Sequence, residues 1–153
     1  MNKQTEKVIQ ELAKSFLTAF RACLASDIGI NPKTGKNTLV GSNLYKEADT
    51  SITVSNDAVV SLLINDYEVY VQNGRRSHKM PPIEPIISWA KRRGISTDNN
   101  TLWKIRKSIA EKGIKPRPFM TDIWGDMDSQ MKEIYLDRIF NSILTDLNQF
   151  FNQ

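Results

Sequence analysis

Two side-chain types that titrate or react near neutral pH occur once each in this chain. His78 sits between Ser77 and Lys79, and Cys23 lies far from it along the sequence. One histidine and one cysteine cannot build a structural zinc site, which takes about four such ligands. Asp126 and Asp128 form a carboxylate pair of the kind that acid–base chemistry uses. Helix capping and pairing with the helix dipole explain them more simply. Neither GxGxxG nor GxxxxGK[ST] occurs, so no phosphate-cradling glycine loop is present. The chain therefore reads as non-enzymatic, with no catalytic residue, no metal and no cofactor.

The residues that could recognise a partner are basic. Tyr67 to Phe119 carries twelve Lys and Arg against four acids, while the rest of the chain carries nine basic and thirteen acidic residues. Lys91-Arg92-Arg93, the Arg75-Arg76 pair and the face bearing Lys104 and Lys107 are candidate contacts with DNA or an acidic partner. Contact with a nucleic-acid backbone needs only charge. The segment Gly94-Ile95-Ser96-Thr97 joins two short helical patterns in a way similar to a helix-turn-helix. A small basic DNA-binding regulator is accordingly the alternative reading. Trp89 and Trp103 lie near the edges of apolar stripes. Burial in the core is the simpler expectation for such rings, and anchoring an interface is the other.

The scaffold that must hold these residues is modest in size. A length of 153 residues suits one domain, taken as 1–153, and 40% hydrophobic with 25% charged residues allows a packed core. No apolar run of about 18 residues predicts a membrane span. The N-terminal stretch MNKQTEKVIQELAKSF lacks the apolar centre of a signal peptide. A lone cysteine rules out an intrachain disulfide and points to a reducing compartment.

Residues 5 to 26 have the spacing of an amphipathic helix, through Ile9, Leu12, Ala13, Phe16, Leu17, Phe20 and Leu24. Residues 29 to 43 read as a loop, and Leu44 to Ala48 as either a helical turn or the lead into a strand. Ser51–Val54 and Ala58–Ile64 predict a hairpin with Asn56-Asp57 at its turn. The second of these strands is apolar on both sides of its pleat, so it asks for cover on both faces. Asp66 is placed to cap a short helix that Gly74 ends. Pro82 opens the next helix, with Ile83, Ile86, Ile87 and Ala90 inward and Gly94 as its stop. The following helix, from Thr97/Asp98 to Gly113, should bury Leu102, Ile105 and Ile109. Gly113-Ile114 suits a Schellman ending.

In Lys115-Pro116-Arg117-Pro118-Phe119, two prolines hold Arg117 extended. That rigidity suits an interface arm, and Phe119 is placed either in that interface or in the core. A last helix is expected from Asp126 or Asp128 to Phe151. Its stripe from Leu136 through Ile139, Phe140, Ile143, Leu144, Leu147, Phe150 and Phe151 should face its own subunit. Met127, Met131, Ile134 and Tyr135 lie about 160° away at about 100° per residue, and of these Met127, Met131 and Tyr135 should meet the sheet or a neighbouring chain.

The ordered set Tyr-x-x-Tyr-Val, NGRR, KMPPIEPIISWAKRRGI and GIKPRPF resembles the tail-completion, or neck, proteins of tailed bacteriophages. The likeness covers roughly Ser51 to Phe119. Gln72-Asn73 stands where that family more often has an acidic-aromatic pair. The resemblance implies an α+β subunit in which a small antiparallel sheet is packed by an N-terminal helix, short central helices and a long C-terminal helix. It implies a non-enzymatic virion protein, assembled in the host cytoplasm. It further implies a homo-oligomeric ring at the head–tail junction, joined to portal, neck or tail proteins around the DNA channel, with no membrane association. On that basis Arg75, Arg76, Arg117, Phe119, Met127, Met131 and Tyr135 are the candidate interface residues.

Overall fold

Helix α1, Lys3–Ala25, is formed by the stripe the sequence carries: Val8, Ile9, Leu12, Ala13, Phe16, Phe20 and Leu24 are all buried along it. The computed structural model describes residues 3–54, 58–64 and 68–152. These fall into two compact units, one made of the chain up to Glu68 together with Pro118 onward, the other of Val69–Arg117. The architecture is α+β.

In the first unit α1 ends in a 3-10 turn, Asp27–Gly29. The loop that follows is organised by Asn37. Its Nδ2 donates to the carbonyls of Leu24 (3.0 Å) and Ser26 (3.2 Å), and its Oδ1 accepts from the amides of Leu39 and Val40. One side chain thereby satisfies backbone groups that a loop would otherwise leave to water. Residues 43–46 settle as a helical turn, α2 (Asn43–Lys46), which buries Leu44.

Strands β1 (Asp49–Val54) and β2 (Ala58–Leu63) pair antiparallel, with Ile52 opposite Val60 and Thr50 opposite Leu62. The Asn56-Asp57 turn expected between them lies outside the described residues, as do the Asp66 cap and Tyr67. Both strands pack beside α1. Val59 and Leu63 lie together on one face of β2 and are half-exposed. The second cover that this strand asks for is thus not supplied on that face.

The C-terminal helical run is 33 residues long and begins earlier than the sequence suggests. Helix α6 (Phe119–Gln130) starts directly after Pro118, passes through Gly125 without a break, and continues by a π-helical stretch, Met131–Tyr135, into α7 (Leu136–Phe151). Proline at a helix entry sacrifices no intrahelical bond, which is why the start falls there rather than at Asp126 or Asp128. Phe119, Ile123, Met127 and Tyr135 are buried at intervals of four or eight. Each four-residue step over-rotates an α-helix by about 40°. The wider π turn takes part of that rotation back and keeps these residues toward α1.

One expectation reverses, and of the two neighbours expected for Met127 and Tyr135, the sheet or another chain, burial removes the second. Met127 and Tyr135 are core residues of their own chain, and Met131 is half-buried. Apart from half-buried Ile139, the Leu136–Phe151 stripe, expected inward, faces out instead: Phe140 is 61% exposed, Phe150 71% and Phe151 77%. What α7 turns toward α1 is Ser142, which is buried, and Asp146.

In the second unit α3 (Glu68–Asn73) is stopped by Gly74. Helices α4 (Ile83–Arg92) and α5 (Asn99–Lys112) pack through Ile86, Ala90 and Leu102, with Ile83, Ile87, Ile95, Ile105 and Ile109 around them. This agrees with the stripes read from the sequence. The two Gly-Ile helix endings behave differently. At α4 the Ile95 amide donates back to Ala90 (2.9 Å) and Gly94 to Lys91 (3.2 Å), which is the full Schellman pattern, and Ile95 joins the core. At α5 the expected Schellman bond is absent, because the Ile114 amide donates to the Arg75 carbonyl at 2.8 Å instead.

Candidate functional site

Three backbone hydrogen bonds clamp the entry of the second unit to its exit. Arg75 N–H donates to Ile114 O (2.9 Å), Ile114 N–H to Arg75 O (2.8 Å) and Arg117 N–H to Val71 O (2.8 Å). Strand-like pairing at Arg75 and Ile114 brings the backbones so close that a Cβ at Gly113 would sit 2.3 Å from Arg75 O, and one at Gly74 2.4 Å from Ile114 O. Both glycines also have positive φ, 67° and 69°. Only glycine satisfies the two demands together.

The KPRPF exit is therefore a strap laid along the end of α3. Arg117 is half-buried, and burial holds its guanidinium below the usual arginine value, though arginine stays charged at neutral pH. Phe119 is fully buried in the first unit, its ring 6.0 Å from that of Phe20 in an edge-on arrangement. It therefore belongs to the core and has no surface left for an interface. The same correction applies to Met127 and Tyr135. The Tyr135 hydroxyl reaches the Glu11 carbonyl at 3.4 Å, and its ring lies under Arg138, which pairs with Glu11.

Arg75 is half-buried, with its guanidinium 5.6 Å from the centre of the Tyr70 ring and Nη2 directed to the Met80 carbonyl at 3.5 Å. Arg76 is exposed. Lys91, Arg92 and Arg93 end α4 in solvent, where the carbonyl end of the dipole favours cations. Arg93 stands 5.4 Å from the Trp89 ring, and Lys107 Nζ stands 4.9 Å from the Trp103 ring. Lys104 is exposed, and Lys107 also lies 3.8 Å from Glu111. The expectation that both tryptophans are core residues is corrected: Trp103 is half-exposed and Trp89 a little over one-third exposed. Each ring lies at i, i+4 from a cation, so the helix itself sets up the contact. Chemically, this unit offers positive charge and flat apolar rings to phosphates, acidic side chains or bases.

His78 is exposed and is the only non-glycine with positive φ (84°) among the described residues; its amide donates to the Ala110 carbonyl. Burial, with Asp122 and Asp126 nearby, pushes the Cys23 thiol up, and its Sγ lies 3.6 Å from the Phe119 carbonyl. Among the described residues no group of three His, Cys, Asp or Glu is placed to hold a metal. No helix among them is long and apolar enough to cross a membrane.

The outward apolar stripe of α7 is the surface that sequence reasoning placed on the wrong side. Ser142 and Asp146, one turn apart on α7, mark its inner face through their bonds with Thr5. Comparisons with family models, with curated proteins and with solved structures find no match to this chain.

Proposed function

We propose that this chain is a non-enzymatic structural subunit of a tailed-phage virion. In this reading it forms a ring at the head–tail junction and links portal-side and tail-side proteins around the DNA channel. The observation that carries the reading is the clamp between Gly74-Arg75 and Ile114–Arg117. It makes one structural feature of two motifs, NGRR and GIKPRPF, that stand far apart in the chain and on which the resemblance to neck proteins rests. The open apolar face of α7 also suits a subunit that is finished by assembly. Lys91, Arg92, Arg93, Lys104 and Lys107 give non-specific contact with DNA or an acidic neighbour.

The helix pair α4–α5 favours a second reading, a small DNA-binding regulator. Native mass measurement and negative-stain imaging of the purified protein, alone and with neck-bearing particles, separate the two. Closed assemblies of more than two copies, or incorporation at the neck, are expected. A preference of about a thousandfold for one duplex sequence would establish the regulator instead. Within the ring reading, Arg117→Ala leaves folding nearly intact and weakens docking by about 1–3 kcal/mol.

A further inference from the structure

We propose that the outward face of α7 is the seat of a second copy of this chain, with α7 packing on α7. Leu136, Phe140, Ile143, Leu147 and Phe150 follow one another at steps of four, three, four and three. That is the seam of a two-helix coiled coil, in which side chains at those positions interlock with their counterparts on a facing helix. All five are exposed in the isolated chain. Leu144 and Phe151 widen the seam on one side and are exposed too.

Area and spacing suit a second copy. Seven large apolar side chains, each with roughly half or more of its surface open, offer on the order of 700–800 Å², which is what one partner contributes to a stable interface of standard size. A second copy brings the same area and the same spacing, so seam meets seam without a mismatch. Charge permits it. From Ile139 to Phe151 the only ionisable residue is Asp146, and it turns toward α1, where the Thr5 hydroxyl donates to it. Two copies facing each other across Ile139–Phe151 therefore bring no like charges together, and beside Leu136 the exposed Asp137 and Arg138 are of opposite sign. A helix face destined for water would carry lysines and glutamates there.

This pairing rests on α7 alone and does not depend on the neck reading, since a two-copy contact can stand whether or not rings form. Sedimentation equilibrium of the full chain from about 1 to about 100 µM tests it. The wild type should self-associate, and Phe140→Glu with Leu147→Glu should weaken that association at least about 30-fold, as loss of interface hot spots does. Circular dichroism should stay unchanged, as should the melting temperature at concentrations low enough for both proteins to be monomeric, because both side chains already face solvent in the single chain. Val59→Glu with Leu63→Glu, on the open sheet face, should leave the association intact. If the charged α7 pair disturbs folding, Phe140→Ser with Phe150→Ser serves in its place. A wild type that stays monomeric across the range overturns the proposal and leaves the face to a different protein. So does an association that the sheet-face variant abolishes and the α7 variant does not.

Discussion

The hydroxyl of Thr5, in the first turns of α1, donates to Oδ2 of Asp146 on α7 at 2.7 Å, across 141 residues of sequence. Ser142 Oγ lies 3.2 Å from the same hydroxyl and itself donates to the Ile139 carbonyl. This small polar cluster joins the two ends of the chain and fixes which face of α7 turns inward. Asp146 Oδ1 is buried with no hydrogen-bond partner among the described residues, so the Thr5 bond is the carboxylate's main compensation. Thr5→Val keeps the shape and removes the donor. It should cost about 1–3 kcal/mol in denaturant unfolding, because a buried acceptor is left unsatisfied. Adding Asp146→Leu should recover most of the loss, since replacing both partners by apolar groups removes the unmet demand.

The clamp in the second unit makes a prediction by contrast between glycines. Gly94, Gly74 and Gly113 all have positive φ, but a Cβ at Gly94 would meet nothing within 4 Å. Gly94→Ala should therefore cost only the left-handed backbone term, about 1–2 kcal/mol. Gly113→Ala adds a Cβ 2.3 Å from the Arg75 carbonyl, which cannot move without opening the Arg75–Ile114 pair. It should destabilise more than Gly94→Ala, and hydrogen exchange should show lost protection at the Arg75 and Ile114 amides. Equal losses for the two variants would contradict the clamp.

Asp98 caps α5. Its carboxylate accepts from Ser96 Oγ (2.6 Å), Thr101 Oγ1 (2.6 Å) and the Thr101 amide (2.9 Å). These bonds, led by the Ser96 hydroxyl, hold its pKa well below the ordinary value of 3.8. Because the folded value is depressed, the stability that the charged cap contributes is fully present above the unfolded pKa. It is lost as pH falls through the folded one. The stability difference between wild type and Asp98→Asn should hold steady near neutrality and shrink as pH falls from about 5 to about 2. Carboxyl titration by NMR checks the same point directly: a midpoint near the ordinary aspartate value would contradict it.

Phe119 follows two prolines and enters the core at full burial, edge-on to Phe20. Phe119→Ala should cost about 3–5 kcal/mol of stability, the range for removing a buried aromatic ring. The loss should appear as thermal or denaturant destabilisation of the isolated chain. A variant that melts like wild type but fails only in assembly would return Phe119 to an interface role.

The sequence alone determined the elements whose partners are local. The stripes of α1, α4 and α5 predict their buried residues because apolar side chains at three- and four-residue spacing have one face on which to meet. Gly74 and Gly94 mark helix ends for the same kind of local reason, a backbone conformation that other residues adopt only with strain. Tertiary structure decided the rest. The period of α7 shows that a stripe exists, but a period carries no information about which side a neighbour covers. That choice was made by Thr5, Ser142 and Asp146, where burial of polar groups demands partners from the far end of the chain. The π turn at Met131–Tyr135 then set the phase that turns Met127 and Tyr135 inward. At Gly113-Ile114 a local helix-ending rule lost to a long-range one, because the Ile114 amide found the Arg75 carbonyl and satisfied itself there. Short-range sterics are written residue by residue, whereas the satisfaction of buried polar groups is settled only when distant segments meet.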